Sequence, residues 1–531
     1  MNFMKFNFSA DNFFPEGWLK TWRPYFLLFV VIFLVYGRTL FFDLTFLDDN
    51  ALILDKQEIL GHLGGLKTIF SSDAFLLETG SYYRPLLNVS FWLDSLFGPL
   101  NYAVYHFFSL WWHFLAVALA FAWLSRLSQR RQPALAIALI MAVHPALAAA
   151  VAWLPGRNDI LAAVFVLLSF WYFFNFLEQE RLRSFIAASI FFFLALLSKE
   201  TVVGLPVLFI IYFFLFKKEK SLNPRSLYLS LAGSATVGAV WFLLRQSMIG
   251  SGHLAVGGAL RSIIDNLPAA AAMAAKLFFP FKLSGLPVAA DAAYVLALAA
   301  ALVIAAALIF SKHKDWRYLI FGSAWFAVFF LPPLVINAAA PFFLENRLYL
   351  PFIGLAIIFF GFREIRSFSW KNLLHRRFFF GLLLCLVLIC FVHIGIFADR
   401  LNFWQSTAAA SPHSPLAQRN LGAMYYLDGR PEEAEIRFRQ ALALNPSEPM
   451  AHNNLAVIYL DRGDLWRAER ELKQELAINP AYDLALFNLG RVYYERQQYQ
   501  EAALLWQEVL RLNPGYREAA LKLQEAQKNL N

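Results

Sequence analysis

The feature that most constrains this 531-residue chain is a series of long apolar runs. A helix needs about 20 apolar residues to cross a hydrocarbon core of ~30 Å. We count about eleven such runs, near residues 25–42, 102–124, 133–154, 160–177, 184–198, 201–216, 227–246, 291–310, 317–337, 348–362 and 378–397. Because backbone polar groups in lipid must bond internally, such runs fold as helices. The sequence therefore predicts an all-α, polytopic membrane domain over residues 25–400.

The distribution of charge predicts how this domain is oriented. The net charge is +9, but residues 414–531 hold 14 Lys and Arg against 16 Asp and Glu, which leaves +11 in the membrane half. This excess argues against nucleic-acid binding and reports membrane topology instead. Basic clusters follow every second apolar run, so these loops and residues 1–24 are predicted to be cytoplasmic.

The first loop between spans, residues 43–101, is predicted to lie outside, because Asp43 to Leu100 contains only three Lys and Arg against eight Asp and Glu. With eleven spans, the C-terminal third also falls outside. We interpret 262–282 as a helix lying on the membrane interface; counted as a span, it would reverse the side of the tail. Both cysteines, Cys385 and Cys390, lie in the last apolar run, so the soluble parts hold no disulfide framework.

The C-terminal part repeats with a period of 34 residues. The matching positions are Leu421, Leu455 and Leu489; Gly422, Ala456 and Gly490; Tyr425, Tyr459 and Tyr493; Ala434, Ala468 and Ala502; and the Asn-Pro pairs at 445, 479 and 513. This pattern is typical of tetratricopeptide (TPR) repeats, whose helix pairs stack into a peptide-binding solenoid. We predict repeats at 414–446, 447–480 and 481–514, a capping helix at 515–530, and a linker at 401–413.

One asparagine recurs in each repeat, at Asn420, Asn454 and Asn488. On one helix face these amides would form a ladder in the concave groove, able to hold a peptide backbone without reading its side chains. The alternative is that each asparagine stabilises a contact between repeats.

Two adjacent acids, Asp48 and Asp49, follow the first apolar run. Charge next to hydrocarbon is usually solvated, paired or functional, although ordinary loop acids remain an alternative. Further polar residues recur on the predicted outer side, namely Arg84, His144, Arg157, Asp159, Lys199, Glu200, Glu345 and Arg347. The sequence therefore predicts an outward-facing cavity lined by carboxylates and cations.

The length of the neighbouring runs places Lys199 and Glu200 below the membrane surface. The run from Ser184 to Leu197 would form a helix of only about 21 Å at ~1.5 Å per residue, short of the ~30 Å core. The pair must then line a water-filled depression or be buried against protein. The alternative is a mutual Lys–Glu bridge that snorkels outward.

Taken in order, several short motifs resemble those of the TMTC-type transmembrane and TPR-repeat O-mannosyltransferases. They are Asp48-Asp49; Tyr83-Arg84-Pro85-Leu86; Tyr105-His106 with His113; His144-Pro145 followed by Val151-Ala152-Trp153; Gly156-Arg157-Asn158-Asp159; Ser198-Lys199-Glu200; and Glu345-Asn346-Arg347-Leu348-Tyr349-Leu350-Pro351. The chain departs from the family at Leu147-Ala148, where Thr-Glu is usual, and at Glu345-Asn346-Arg347, where Ala-Glu-Arg is usual. The short repeat array is similar to that of bacterial members, which implies a bacterial inner membrane.

The resemblance implies a GT-C type membrane glycosyltransferase, with inverting transfer of a mannose-like sugar from a polyprenyl-phosphate donor. The acceptor implied is a Ser or Thr hydroxyl of a protein held by the TPR repeats on the noncytoplasmic face. It implies Asp48 as the base that takes the hydroxyl proton, with Asp49 orienting the donor or acceptor hydroxyls. The expected ligands of the departing phosphate are Arg347, Lys199, Arg157 and Arg84, in that order. Glu200, Glu345 and Asp159 are expected to position those cations, and His144 to kink a span or contact substrate.

Two alternatives remain open from the sequence. The same enzyme class could modify a lipid or cell-wall glycan, or the chain could be a membrane scaffold or transporter that binds proteins through its repeats. A transporter is expected to carry charge within opposing helices, whereas here the charges concentrate toward the outer ends. No cofactor is firmly implied. A divalent metal between Asp48 and Asp49 is conceivable, but a third ligand is not evident.

Overall fold

The computed structural model describes residues 14–76, 82–220, 222–249, 259–335 and 344–530. Over these ranges the chain is helical, and its only bridge of β type is the isolated one between Lys314 and Phe362. The chain divides into two compact units, Met1–Phe403 and Trp404–Asn531. Most of the predicted cytoplasmic N-terminus, residues 1–13, lies outside the described residues.

The first unit consists of α-helices joined by short 3₁₀ turns and one π turn. Its α-helices are Glu16–Leu19, Arg23–Tyr36, Gln57–Leu60, Gly65–Phe70, Pro85–Ser95, Tyr102–Ser128, Arg131–Val143, Ala148–Ala152, Arg157–Gln179, Leu182–Ser198, Leu205–Lys220, Pro224–Ile249, Ala259–Ala275, Tyr294–Phe310, Trp316–Phe330, Tyr349–Phe360, Arg363–Arg366 and Leu373–His393. The shorter turns are Gly37–Phe41, Asn50–Leu54, Pro145–Leu147, Leu154–Gly156, Glu200–Gly204, Ala289–Asp291, Pro332–Val335, Glu345–Leu348 and Ile394–Phe397.

Seven helices of the described residues are long and apolar enough to cross a membrane. They are Arg23–Phe41, Tyr102–Ser128, Leu154–Gln179, Glu200–Lys217, Pro224–Ile249, Trp316–Val335 and Leu373–Phe397. An eighth span is formed if Arg131–Val143 and Pro145–Ala152, bent by 58°, cross together. The predicted count of eleven spans is therefore not confirmed. The predicted runs at 184–198, 291–310 and 348–362 form helices of only 17, 17 and 12 residues.

The predicted outer loop, residues 43–101, is a folded layer with its own hydrophobic core. Leu52, Ile53 and Phe91 are each less than 4% exposed and pack in one cluster with Tyr105 and Leu154. The described part of the loop contains four short helical segments, Asn50–Leu54, Gln57–Leu60, Gly65–Phe70 and Pro85–Ser95. This core fixes the position of the aspartate loop that precedes it.

The second unit is a stack of antiparallel helix pairs, as the 34-residue period predicts. Its helices are Pro415–Leu427, Pro431–Leu444, Ala451–Asp461, Leu465–Ile478, Asp483–Glu495, Tyr499–Leu512 and Arg517–Leu530. The small repeat positions allow close packing, since a Cβ on Gly422 would lie 2.8 Å from the Phe438 ring and one on Gly490 would lie 2.4 Å from Nε1 of Trp506.

The prediction of a linker at 401–413 is wrong for most of its length. The helix Arg400–Ala410 occupies this stretch, and Phe403 and Trp404 are buried. The apolar faces of these residues favour packing over an extended linker. The first TPR helix then begins where predicted: Oγ of Ser414 accepts a hydrogen bond from the Ala417 amide at 3.2 Å, and Pro415 occupies the first helical position.

Candidate active site

The loop that carries the two aspartates is held together by Asp49. The Asp49 side chain is 1% exposed, and its Oδ2 accepts hydrogen bonds from the backbone amide of Thr45 at 2.7 Å and from the Thr45 hydroxyl at 2.8 Å. Its Oδ1 accepts from the Asn50 amide at 3.0 Å. Burial raises the pKa of Asp49 to about 6 despite these hydrogen bonds, which lower it. Both carboxylate oxygens are thus used within the loop.

Asp48 is held in an unusual backbone conformation on the open side of the same loop. Its φ is +69° and that of Phe46 is +59°, the left-handed region that costs energy for residues other than glycine. The Trp153 indole donates to the Leu47 carbonyl at 2.8 Å, which fixes the loop between these two positions. The strained turn directs neighbouring residues to different environments, because Asp48 is only half-buried while Asp49 is buried.

The Asp48 carboxylate differs from that of Asp49 in its partners. Within the described part of the chain it accepts no hydrogen bond, and Arg84 is the cation that acts on it electrostatically. Burial raises the pKa of Asp48 above its ordinary value, and the charge of Arg84 opposes that shift. Unlike the Asp49 carboxylate, that of Asp48 is thus not engaged by any hydrogen-bond donor of the described residues.

Two ion pairs bring four predicted residues together beside this loop. The Arg84 guanidinium binds Glu200 in a bidentate manner, with Nε at 2.8 Å from Oε2 and Nη2 at 2.5 Å from Oε1. Nζ of Lys199 lies 2.6 and 2.7 Å from the two carboxylate oxygens of Asp159. The alternative of a mutual Lys199–Glu200 bridge is wrong, because these sequence neighbours bind different partners.

Arg347 joins the same cluster through electrostatics. It is half-buried and interacts electrostatically with Asp159, Arg84 and Glu200. Its neighbour Asn346 donates from Nδ2 to Oδ2 of Asp159 at 2.8 Å. Asp159 sits in the first turn of the helix Arg157–Gln179, where the positive end of the helix dipole also stabilises its charge.

A close backbone contact positions the start of this helix. A Cβ on Gly156 would lie 2.6 Å from the Ala149 carbonyl oxygen, so no side chain fits between the helix and the preceding turn. This contact explains why a glycine precedes the Arg157-Asn158-Asp159 motif.

Arg157 lies behind the cluster instead of in it. Its side chain is fully buried, and its guanidinium donates to Asp94 at 2.5 Å, to the hydroxyls of Ser90 and Ser109 at 3.1 and 3.0 Å, and to the Tyr105 carbonyl at 2.5 Å. Burial raises the pKa of Asp94 to about 6, and Arg157 opposes that shift. With its donors used inside the protein, Arg157 is placed to join the outer layer to the helices, and this argues against the predicted contact with a phosphate.

Glu345 does not bind Arg347, the cation that it was expected to position. Its Oε1 accepts from Nζ of Lys276 at 2.7 Å and from the Ser284 amide at 2.9 Å, and Nε2 of His393 lies 3.4 Å from Oε2. The Glu345 side chain is 1% exposed. It therefore anchors the turn Glu345–Leu348, which carries Arg347, rather than pairing with Arg347 itself.

His144 has a structural environment. Its Nε2 lies 3.2 Å from the Leu277 carbonyl and its Nδ1 accepts from the Ala146 amide at 3.2 Å. Pro145 cannot donate a backbone hydrogen bond, so the helix Arg131–Val143 ends here and the chain bends. Both ring nitrogens are satisfied by backbone, which favours the kink over substrate contact.

The three asparagines of the predicted ladder do not share one environment. Asn420 and Asn454 are half-buried, whereas Asn488 is 3% exposed and donates to Oδ1 of Asn453 at 2.9 Å. Asn488 thus forms the alternative contact between repeats. The ladder stays a prediction for Asn420 and Asn454.

Sequence reasoning missed Asp94, Lys276 and Thr45. Asp94 and Lys276 lie among apolar residues and are 2% and 6% exposed; a charge within an apolar segment is the signal that marks them. Among the residues that the structure describes, no group of three His, Cys, Asp or Glu side chains could hold a metal ion.

In a comparison with known proteins, three family models match this chain. Residues 89–244 match the family described as dolichyl-phosphate-mannose-protein mannosyltransferase. Tetratricopeptide repeat models match residues 403–449, 428–483 and 483–516. The first match includes the buried Arg157 site and the Lys199–Glu200 motif.

Curated relatives match part of the chain. Protein O-mannosyl-transferase Tmtc1 of Drosophila melanogaster is 32% identical over 161 residues, 29% of this chain and 19% of the relative. Over that segment the chain is similar to this O-mannosyl-transferase. Protein O-mannosyl-transferase TMTC3 of Mus musculus is 33% identical over 149 residues, 27% of this chain and 16% of its own length. The matched segments thus span less than a fifth of these relatives.

Among solved structures, the first TPR of Spaghetti (RPAP3) bound to the HSP90 peptide SRMEEVD is 25% identical. It covers 22% of this chain and 93% of its own, with a TM-score of 0.22. The MamA protein is 20% identical over 24% of this chain and 71% of its own, with a TM-score of 0.23.

Proposed function

We propose that this TMTC-like chain is an integral membrane O-mannosyltransferase. It transfers a mannose-like sugar, with inversion, from a polyprenyl phosphate to the hydroxyl of a Ser or Thr side chain. The reaction takes place on the noncytoplasmic face, in the cluster formed by the aspartate loop and the two ion pairs beside it.

The observation that carries the proposal is the contrast between the two adjacent aspartates. Asp49 uses both carboxylate oxygens to hold the loop, whereas Asp48 is half-buried and accepts no hydrogen bond within the described residues. A carboxylate held without a protein partner, in a strained backbone, beside cations, suits a general base.

In the reaction, the acceptor oxygen attacks the anomeric carbon while its proton passes to Asp48. The bond from that carbon to the phosphate oxygen breaks, and the polyprenyl phosphate leaves with the electron pair. The leaving phosphate gains negative charge, which a cation stabilises in the transition state. This mechanism gives Asp48 its predicted role and changes that of Asp49 to shaping the loop.

Among the predicted phosphate ligands, Arg347 and Arg84 have the most suitable positions. Both are partly exposed and belong to the charge cluster near Asp48. Arg84 and Lys199 are each paired with a carboxylate, but the Lys199 side chain is nearly buried whereas that of Arg84 is 17% exposed. Lys199 therefore acts on the phosphate through the field of the cluster. Glu200 and Asp159 hold these cations in place.

The TPR unit supports a protein acceptor. We propose that its groove binds an extended segment of the acceptor, with the half-buried amides of Asn420 and Asn454 contacting the peptide backbone. Relatives whose names give a protein O-mannosyl-transferase activity carry the matching membrane segment.

The test is incubation of purified full-length protein with a labelled polyprenyl-phosphate mannose and a membrane extract. We expect label in a protein fraction, released by β-elimination from Ser or Thr, and no label from a nucleotide-linked mannose alone. Label found only in lipid or glycan would show that the acceptor is one of these and not a protein. The absence of any transfer would contradict the enzyme assignment.

A further inference from the structure

A polar cavity lies at the other end of the first span from the aspartate loop. Its volume is about 860 Å³, within the range of ~300–1,000 Å³ typical of ligand sites. Tyr25 lines it from the start of the span Arg23–Phe41, and the aspartate loop follows the end of that 19-residue span, roughly 30 Å away. The cavity is therefore separate from the candidate active site.

The cavity is built where several membrane helices end. The helix Tyr102–Ser128 ends at Gln129, whose φ is +56°, and the helix Arg131–Val143 begins immediately afterwards. Arg366 and Phe368 line the cavity from the segment that follows the helix Tyr349–Phe360. Since spans end at the membrane surface, the cavity lies at the level of lipid headgroups.

The walls of the cavity are strongly basic. Five cations and one carboxylate, Glu16, line it; the cations are Lys20, Arg126, Arg130, Arg131 and Arg366. Two of these are neutralised by acids next to the cavity, because Arg126 pairs with Glu178 at 2.8 Å and Arg366 with Asp315 at 3.3 Å.

Three cations remain without a carboxylate partner in the described part of the chain. Arg131 donates only to the Leu19 carbonyl, at 2.8 Å, and the side chains of Lys20 and Arg130 are exposed at the rim. The Ser125 hydroxyl lines the same cavity and is buried without a hydrogen-bond partner among the described residues. Such a set of unused donors matches the oxygens of a phosphate group.

Four aromatic side chains also line the cavity, and we call them its aromatic wall. They are Tyr25, Phe121, Trp171 and Phe368, and Trp171 stacks against the Arg126 guanidinium at 4.8 Å. A free phosphate ion needs no apolar surface, whereas a lipid brings the start of its hydrocarbon chains with its headgroup. Basic pockets between membrane helices are recurrent sites of anionic lipid headgroups.

We propose that this cavity is a binding site for the phosphate of an anionic membrane lipid. Lys20, Arg130, Arg131 and the Ser125 hydroxyl bind the phosphate oxygens, and the aromatic wall contacts the apolar part next to the headgroup. The site is distinct from the donor site of the proposed transfer reaction and does not depend on it.

The experiment is a lipid titration of the purified full-length protein, followed by native mass spectrometry. The probes are phosphatidylglycerol and phosphatidylcholine with identical chains, which differ in net charge. We expect the first phosphatidylglycerol to bind more tightly than phosphatidylcholine. Equal affinity of the two lipids would overturn the proposal.

The decisive variant is Lys20→Gln with Arg130→Gln, two exposed substitutions that leave the helices intact. At about fivefold per cation, the affinity for phosphatidylglycerol should fall ~25-fold, with an unchanged melting temperature. The matched control, Arg181→Gln with Arg183→Gln, removes two exposed cations outside the cavity and should retain wild-type affinity. Wild-type affinity of the Lys20/Arg130 variant for phosphatidylglycerol would contradict the proposed site. An equal loss of affinity in the control variant would contradict it as well.

A second titration uses inorganic phosphate to distinguish a lipid headgroup from a free phosphate ion as the ligand. We expect millimolar phosphate to compete weakly with phosphatidylglycerol, because it makes no contact with the aromatic wall. Phosphate binding as tight as that of the lipid would show that a soluble phosphate is the ligand and would overturn the lipid assignment.

Discussion

The buried ion pairs of the membrane unit and the surface ion pairs of the TPR unit lie in opposite environments. In the membrane unit, the side chains of Arg157 and Asp94 are 0% and 2% exposed, and those of Lys199 and Asp159 are 7% and 4% exposed. In the TPR unit, Arg511 and Glu508 are 67% and 42% exposed. Exposed pairs contribute about 0–1 kcal/mol, whereas removing one partner of a buried pair costs about 3–5 kcal/mol. The comparison indicates that the membrane unit depends on these buried charges, while the surface pairs of the TPR unit contribute little to its stability.

The largest expected effect is on the pair behind the candidate active site. Asp94→Ala leaves the Arg157 charge buried without its carboxylate, and we expect the unit to lose about 3–5 kcal/mol of stability. Thermal unfolding of the purified protein in detergent measures this loss. The control is Asp94→Leu with Arg157→Met, which removes both charges and should be less damaging than the single change; an equally unstable double variant would mean that the pair itself is required.

A second prediction concerns the anchor of the Arg347 turn. Lys276→Met removes the ammonium that binds Glu345 at 2.7 Å, so the turn shifts and Arg347 moves relative to Asp48. A displacement of about 1 Å is enough to reduce transfer ~100-fold. Sugar transfer by the folded fraction is the measurement, with Lys282→Met, an exposed lysine of the next segment, as the control. Wild-type transfer by the Lys276 variant would show that the anchor does not position Arg347.

The pH dependence of transfer tests the contact between Arg84 and Asp48. Because Arg84 opposes the burial that raises the pKa of Asp48, Arg84→Gln should raise that pKa further. A base is inactive when protonated, so the acid limb of the pH–rate profile should move to higher pH in the variant. The profile of kcat/KM for the free enzyme reports this limb. A limb that stays in place, or moves to lower pH, would exclude Asp48 as the titrating base.

The smallest expected effect lies in the TPR unit. Nδ1 of His452 lies 2.8 Å from Glu471. Burial alone would lower the pKa of His452, but the hydrogen bonds to Glu471 and to the Pro446 carbonyl outweigh it and raise the pKa above its ordinary value. This contribution is fully present below the unfolded pKa of ~6.5 and is lost as pH rises through the raised folded pKa.

We expect the second repeat to lose about 1 kcal/mol of local stability between pH 6 and pH 8.5, the net contribution typical of one hydrogen bond, measured by hydrogen exchange in the full-length protein after correction for the intrinsic rate. His452→Gln should remove this pH dependence. If the membrane unit lost a similar amount of local stability over the same pH range, the contrast between the two units would be removed.

The sequence predicts the TPR unit more completely than the membrane unit, for a physical reason. Each repeat contacts its neighbours in the sequence, so a local period determines which residues pack together. The positions of Gly422 and Gly490 could therefore be assigned before their contacts with Phe438 and Trp506 were seen.

In the membrane unit, partners lie far apart in the chain. Asp94 and Arg157 are separated by 63 positions and Asp159 and Asn346 by 187, and no local pattern joins them. Hydropathy identified the apolar helices but not which of them cross the membrane, because helices such as Tyr349–Phe360 are as apolar as spans and shorter. The partners of Lys199 and Glu200 could not be predicted for the same reason, since each residue binds a partner that is remote in the chain.

The measurement that tests the account most directly is sugar transfer by Asp48→Asn. The variant keeps the size of the side chain and removes the carboxylate, and the matched control is Asp55→Asn, an exposed acid of the same loop. We predict that Asp48→Asn lowers the transfer rate by about 10²–10⁴-fold with unchanged thermal stability, while Asp55→Asn transfers at the wild-type rate. Full transfer by a stably folded Asp48→Asn protein would contradict the assignment of the base and the proposed mechanism with it.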